Sequence, residues 1–124
     1  MNEFTKLGKS GAGPSKDLDK FPTPKGITEV KFITKELTSN CPVTNQPDLY
    51  TVILTFAPDK ACIESKSLKL YYWSFRDEAL FGENLASEIA HHVFKTIKPF
   101  WVSVEVEQQV RGGLIMTATA YVDA

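Results

Sequence analysis

Cysteine, arginine and long apolar runs are scarce in this 124-residue sequence, and each shortage excludes a class of protein. Two cysteines, Cys41 and Cys62, are too few for a disulfide framework, so we expect a reducing compartment and a cytoplasmic protein. No apolar run reaches the length of a membrane span, and the N-terminal sequence lacks the apolar core of a signal peptide. The net charge of -1 includes no basic excess, and we therefore expect no stable binding to nucleic acid.

The remaining composition is that of one globular domain with an N-terminal arm. Apolar residues make up 43% of the chain and charged residues 23%, and the length suffices for a single modest core. Residues 1–25 are rich in Gly, Ser, Pro and Lys and show almost no apolar periodicity. We therefore expect an irregular arm over residues 1–25 and a single folded domain over residues 26–124.

The apolar periodicity of this domain changes from that of strands to that of helices and back. A period of two, with a Gly-Gly turn between the last two segments, predicts strands over residues 27–37, 49–56, 101–110 and 114–122. Residues 67–75 are compatible with a strand or a helix, and a spacing of three and four residues favours a short helix. The same spacing predicts an amphipathic helix over residues 83–97, which Pro99 ends.

The order strand-strand-helix-helix-strand-strand indicates an α+β fold, an antiparallel sheet with two helices on one face. The other sheet face carries Ser, Glu and Thr, and both sheet edges are open. An open edge is a template for pairing with another chain. We therefore expect copies of this chain to pair through their edges and to close an oligomeric β-barrel between subunits.

The stretch SNCPVTNQPD, residues 39–48, places a thiol and a carboxylate in a turn between two predicted strands. Catalytic groups concentrate on loops that rigid strands hold, whereas a free cysteine is usually buried. A thiolate can attack an electrophilic carbon while a nearby carboxyl gives a proton to the attacked group. Spacing alone favours the simpler alternative, a surface thiol beside a turn aspartate, so Cys41 and Asp48 are only candidates at this point.

Further motifs join this stretch in a pattern that resembles a known family. NCPVTNQPD (40–48) is followed by ESKSLKLYYW (64–73) and then SFR, and VRGG (110–113) precedes the last strand. The arm TKLGKSGAG…KFPTP fits the same pattern. Together these segments resemble the queuosine-pathway nitrile reductases of the QueF type, in order and over nearly the whole chain.

This resemblance implies a fold, an activity and an assembly. The family belongs to the tunnelling-fold superfamily with GTP cyclohydrolase I, whose element order agrees with the one predicted above. Its reaction is the NADPH-dependent reduction of the small-molecule deazapurine 7-cyano-7-deazaguanine to 7-aminomethyl-7-deazaguanine. The resemblance implies that Cys41 forms a covalent thioimide with the nitrile carbon and that Asp48 protonates the nitrile nitrogen. It also implies a homo-oligomer with sites at subunit interfaces.

The resemblance also implies which residues bind the substrate and the cofactor. Glu83 would accept hydrogen bonds from the guanine-like edge, although a carboxylate there could equally be a favourable charge at a helix N-terminus. Gly82 stands where the family has a histidine that helps to hold the substrate or shuttles a proton. The implied substrate contacts are Ile63, Glu64, Ser65, Gly82 and Glu83, and the implied NADPH contacts are Ser65, Lys66, Arg111 and Gly112.

Two alternative functions stay open. A QueF-like amidinotransferase uses the same Cys and Asp to add ammonia to a nitrile-bearing deazaguanine in nucleic acid, but the intact ESKSLK motif argues against it. The other alternative is a non-catalytic tunnelling-fold protein that binds a base and leaves its thiol unused. No metal is expected, because His91 and His92 are neighbours on the predicted helix and do not face one site.

Overall fold

A computed structural model of the chain describes residues 4–8 and 13–124, except for the side chains of residues 109–111. The part of the arm at residues 1–3 and 9–12 therefore lies outside the described residues. The elements in chain order are β1 (Lys20–Pro22), β2 (Val30–Asn40), β3 (Pro47–Ala57), β4 (Ala61–Ile63), α1 (Ser65–Trp73), α2 (Gly82–Ile97), β5 (Trp101–Arg111) and β6 (Leu114–Asp123).

The predicted strand-strand-helix-helix-strand-strand order is confirmed by the six longer elements. Strands β2, β3, β5 and β6 form one antiparallel sheet in the order β2-β3-β5-β6. Gly112 and Gly113 make the tight turn between β5 and β6, and both have positive φ angles, 59° and 82°. Two residues with positive φ match the twist of the flanking strands, and glycine adopts this conformation without strain.

Both helices cover the same face of this sheet, as predicted. Alternate residues of β5, among them Val102, Val104 and Val106, have no exposed surface and face the helices. Leu85 and Ile89 of α2 pack on this layer and are equally buried. Each such aliphatic side chain contributes roughly 1.5–3 kcal/mol on burial, so this interface supplies most of the driving force for folding.

The arm is more ordered than the sequence suggests. Residues 20–22, which we expected to be irregular, form β1 and pair antiparallel with β4, which was also not predicted. Three-residue strands carry too little periodicity to be recognised in a sequence. Asp19 precedes β1 and is only 8% exposed; its carboxylate accepts hydrogen bonds from the Thr5 amide (2.7 Å), the Thr5 hydroxyl (2.8 Å) and the Lys6 amide (3.1 Å).

Glu64 determines where α1 begins. Its two carboxylate oxygens accept hydrogen bonds from the backbone amides of Lys66 and Ser67, both at 2.8 Å, and its own amide donates to the Asp19 carbonyl oxygen. Such side-chain caps satisfy amides that a helix leaves without intrahelical partners. Helix α1 has 9 residues and α2 has 16, and within the described residues no helix is long and apolar enough to cross a membrane.

Replacing Asp19 with Ala is expected to detach the N-terminal residues from the domain. Three hydrogen bonds to a largely buried carboxylate are lost, so the free energy of unfolding should fall by about 1–3 kcal/mol. Urea denaturation measures this change, and hydrogen exchange at the Thr5 and Lys6 amides should become faster. Asp17→Ala, two residues away on the same segment, serves as the control; equal effects of the two substitutions would contradict the anchoring role of Asp19.

Candidate active site

Cys41 lies in a tight turn whose polar groups favour the thiolate. The Asn45 amide donates to the Cys41 carbonyl oxygen at 2.9 Å, and the Cys41 amide donates to the Gln46 carbonyl oxygen at 2.8 Å. Hydrogen bonds from the Thr44 hydroxyl and the Thr44 and Val43 amides lower the pKa of the Cys41 thiol, whereas its slight burial and the charge of Asp48 raise it less. The side chain is a free thiol and only half-buried, so a ligand can approach the sulfur.

Asp48 lies on the helix-covered face of β3, at the end of the sheet next to this turn. It pairs with Ser39 of β2 and is 3% exposed, so the carboxyl is held at the boundary between the core and the turn. Asn40, the residue before Cys41, pairs with Pro47, the residue before Asp48, and the Cys41 amide donates to Gln46, so the thiol and the carboxyl lie at the same end of the β2–β3 hairpin. The structure therefore brings the two predicted catalytic residues together.

The segment that leads into α2 is bonded through the backbone to Asn40, the residue before Cys41. The Asn40 amide donates to the Glu78 carbonyl oxygen at 2.8 Å, and the Leu80 amide donates to the Asn40 carbonyl oxygen at 3.1 Å. The residue before Cys41 is thereby tied to the segment that leads into α2. Exposed Glu83, in the first turn of α2, consequently lies on the same side of the domain as the thiol.

Tyr50 was not singled out from the sequence, yet it lies at the centre of this cluster. It has no exposed surface; burial raises the pKa of its hydroxyl, and the charges of Asp48, Cys41 and Glu83 raise it further. The neighbouring Ser39 hydroxyl lowers this pKa, but neither hydroxyl forms a hydrogen bond of regular geometry with any described residue. In the sequence Tyr50 looks like any aromatic residue of a strand, so no signal marks it.

Gly82 is closely packed by two side chains, those of Met116 and Tyr50. A Cβ atom at this position would overlap the methyl carbon of Met116 and would lie 3.2 Å from Cε1 of Tyr50. Gly82 is buried, and the first turn of α2 therefore approaches β3 and β6 closely. Tyr50 and Met116 fill the space that a side chain at position 82 would occupy.

The second group of predicted site residues lies at the start of α1, whereas the segment bonded to Asn40 follows the end of that helix. Ile63 ends β4 and Ser65 begins α1. Helix α1 is about 13 Å long at 1.5 Å per residue, and it separates the two groups. Glu64 is 4% exposed and caps α1 with both carboxylate oxygens, while Ser65 is exposed and Lys66 is partly exposed.

A groove between β2 and α1 begins beside Ser65 and has a volume of about 500 Å³. Lys69 and Arg76 supply two cations to its lining, and the Arg76 guanidinium lies 5.8 Å from the centre of the Trp73 ring. A volume of this size is typical of ligand sites, and cations beside an aromatic ring suit a ligand with phosphates and a base. These residues therefore suit a ligand that carries phosphates.

The remaining predictions concern the β5–β6 turn and metal binding. Gly112 is exposed in that turn, and the Arg111 side chain lies outside the described part of the structure. Among the described residues, no group of three or more His, Cys, Asp or Glu side chains could hold a metal ion. His92 packs edge-on against Tyr71 with ring centres 4.9 Å apart, and burial lowers its pKa, as for a packing residue.

Comparisons with known proteins agree with the resemblance in the motifs. A family model described as QueF-like protein matches residues 47–123. An NADPH-dependent 7-cyano-7-deazaguanine reductase of Anaeromyxobacter sp. (strain Fw109-5) is 43% identical over 86% of this chain and 89% of its own length. One of Syntrophus aciditrophicus (strain SB) is 38% identical over 97% and 86%.

A solved structure shares the fold. The apo archaeosine synthase QueF-Like superposes with a TM-score of 0.72 at 23% sequence identity, covering 80% of this chain and 94% of that chain. At this identity the likeness concerns the fold alone. It confirms the predicted arrangement of an antiparallel sheet with two helices on one face.

Replacing Thr44 with Val is expected to make Cys41 less reactive at neutral pH. The substitution removes the hydrogen bond that most lowers the Cys41 pKa, so the thiol of the variant should ionise at higher pH. The pH dependence of iodoacetamide alkylation measures this change, with a severalfold slower reaction at pH 7 and equal rates at high pH. Thr51→Val, on the other face of β3, is the control; superimposable profiles for Thr44→Val and the unmodified protein would contradict the role of Thr44.

Proposed function

Because the chain belongs to the family of QueF-like proteins, we propose that it is an NADPH-dependent 7-cyano-7-deazaguanine reductase of queuosine biosynthesis. The product is 7-aminomethyl-7-deazaguanine. The observation that carries this proposal is the pairing of a thiol of lowered pKa with a buried carboxyl, Cys41 with Asp48, in a chain 43% identical to a reductase of that name.

The two residues have complementary roles in activating a nitrile. The Cys41 thiolate adds to the nitrile carbon, and Asp48 gives the nitrile nitrogen its proton, so that a neutral covalent thioimide forms. NADPH, when bound, supplies the hydride ions, of which conversion of a nitrile to an amine needs two. Since Cys41 must be a free thiol, the reaction belongs in a reducing compartment such as the cytoplasm.

Glu83 is the residue we assign to the guanine-like edge of the base. That edge presents a ring N–H and an exocyclic amine side by side, and one carboxylate can accept both hydrogen bonds. Glu83 is exposed at the start of α2, on the same side of the domain as Cys41. A base that left these donors unpaired would bind much more weakly, so Glu83 would select guanine-like rings.

Ser65 and Lys66 are assigned to NADPH, together with Arg111 and Gly112. Ser65 begins the groove between β2 and α1, whose cations suit the extra phosphate that distinguishes NADPH from NADH. Ile63 and Glu64 would lie next to the base, with Glu64 acting mainly by holding the start of α1.

A complete site needs two copies of the chain under this proposal. The Cys41 group and the Ser65 group lie on either side of α1, so a neighbouring subunit would bring its Ser65 and Lys66 to the thiol of the first. Edge strands β2 and β6 carry exposed apolar side chains, among them Ile33, Leu114 and Ile115. Pairing of such edges would bury these side chains and close a barrel of subunits.

Incubation with 7-cyano-7-deazaguanine is expected to add the mass of the base to the protein, and NADPH should then discharge it. Intact-protein mass spectrometry follows both steps. Cys41→Ala should form no adduct, Cys62→Ala should form it normally, and Asp48→Asn should form it about 10²- to 10⁴-fold more slowly.

The three candidate functions predict different outcomes of this experiment. If NADPH leaves the adduct unchanged and ammonia releases it, the protein is an amidinotransferase and not a reductase. A folded protein that binds the base without any adduct would be a non-catalytic binding protein.

Co-expression of Cys41→Ala and Lys66→Ala subunits is expected to restore activity. Each variant should be inactive alone, whereas in mixed oligomers roughly a quarter of the sites would combine an intact Cys41 with an intact Lys66 of the neighbour. NADPH oxidation with the nitrile base measures the recovery. Mixed oligomers without activity, with both variants folded and assembled, would mean that each chain builds its own site.

A further inference from the structure

The buried hydroxyl of Tyr50 has no function in the site described so far. Tyr50 is fully buried, and its hydroxyl forms no regular hydrogen bond with any described residue. A phenylalanine of the same shape would avoid the free-energy penalty of burying an unpaired hydroxyl. Such a group in a native protein calls for an explanation, and a partner that arrives with a ligand is one.

The position of Tyr50 shows where that partner would be. Tyr50 and Asp48 are two residues apart on the helix-facing side of β3, about 7 Å along the strand. Cε1 of Tyr50 is 3.2 Å from the point where a Cβ of Gly82 would lie, so its ring touches the residue before Glu83. The hydroxyl therefore lies among the groups assigned above to the nitrile and to the guanine-like edge.

Resting on the proposed function, we propose that the Tyr50 hydroxyl donates a hydrogen bond to the ring carbonyl oxygen of the bound deazaguanine. This oxygen lies next to the ring N–H that Glu83 is assigned to accept, and it needs a donor. Gly82, beside Glu83, has no side chain to provide one.

Met116 is the side chain that would give way to the base. It lies on the same row of paired residues as Tyr50, through Gln108 of β5, and its methyl carbon fills the space beside Gly82. Met116 is only partly buried, and an unbranched thioether changes rotamer easily. Its displacement on binding would uncover the hydroxyl and leave the rigid ring of Tyr50 in place.

Tyr50→Phe tests the proposal because it removes only the hydroxyl. The dissociation constant for 7-cyano-7-deazaguanine, measured by calorimetry in the Cys41→Ala background so that no covalent adduct forms, should rise about 5- to 30-fold, the effect of one hydrogen bond. The reference protein with Tyr50 carries the same Cys41→Ala change in these binding measurements. An analogue that lacks the ring carbonyl oxygen should bind equally to the variant and the unmodified protein. The melting temperature of the variant should stay the same or rise, because an unpaired buried hydroxyl has been removed.

Tyr71→Phe is the matched control, since Tyr71 is also fully buried and its hydroxyl is likewise unpaired among the described residues. It lies on α1 and should leave both dissociation constants unchanged. The proposal is overturned if Tyr50→Phe binds the base as tightly as the unmodified protein, or if it weakens base and analogue equally. Adduct formation by the unmodified protein distinguishes failure of this proposal from failure of the proposed function. If the unmodified protein forms the adduct while Tyr50→Phe does not change the affinity for the base, only the role of Tyr50 is contradicted.

Discussion

The site depends on two backbone hydrogen bonds at Asn40. They tie the last residue of β2 to Glu78 and Leu80, in the segment between the two helices. Backbone groups are fixed by the fold rather than by rotamers, so this link holds the Cys41 turn and the start of α2 at one separation. A thiol on one loop and a carboxylate on a helix thereby share one side of the domain although 42 residues separate Cys41 from Glu83 in the sequence.

The core ends where the polar groups of the site begin. Val52 and Leu54 of β3 are fully buried among apolar neighbours, and two residues before Val52 the same face carries Tyr50 and then Asp48. A buried hydroxyl without a regular hydrogen bond to any described residue, as at Tyr50, lowers stability, so this end of the sheet is less stable than a fully apolar layer would be. Polar groups that bind a substrate must keep hydrogen-bonding capacity free until the substrate arrives. The buried apolar layers of the core compensate for the stability that is lost in this way.

Helix α1 explains why the motif between Glu64 and Trp73 has two functions. Both carboxylate oxygens of Glu64 accept hydrogen bonds from amides of the first turn of α1. The Glu64 amide donates to the Asp19 carbonyl oxygen and so connects this turn to the arm. The exposed residues that follow, Ser65 and Lys69, line the groove. One face of the motif therefore builds the fold, while the other remains available to a ligand or a neighbouring subunit.

Much of the fold and the chemistry could be read from the sequence, because periodicity and motif spacing are local properties. The sequence shows the apolar alternation of β5 and the helical spacing of Leu85 and Ile89. It also shows that Cys41 and Asp48 lie within one turn-rich stretch. The strands β1 and β4 were not, since three residues carry no usable period and Lys20 and Ile63 pair over a long separation.

The element order and the layered architecture followed from periodicity, which depends on neighbours along the chain. The candidate nucleophile and acid, Cys41 and Asp48, followed only from the resemblance of several motifs to a known family, because spacing alone favoured a surface thiol. The packing of Tyr50 and Met116 against Gly82 could be seen only in the folded chain, as could the position of α1 between Ser65 and the segment that is bonded to Asn40. Both facts depend on distances between segments far apart in sequence, and such distances are set by how the helices pack on the sheet.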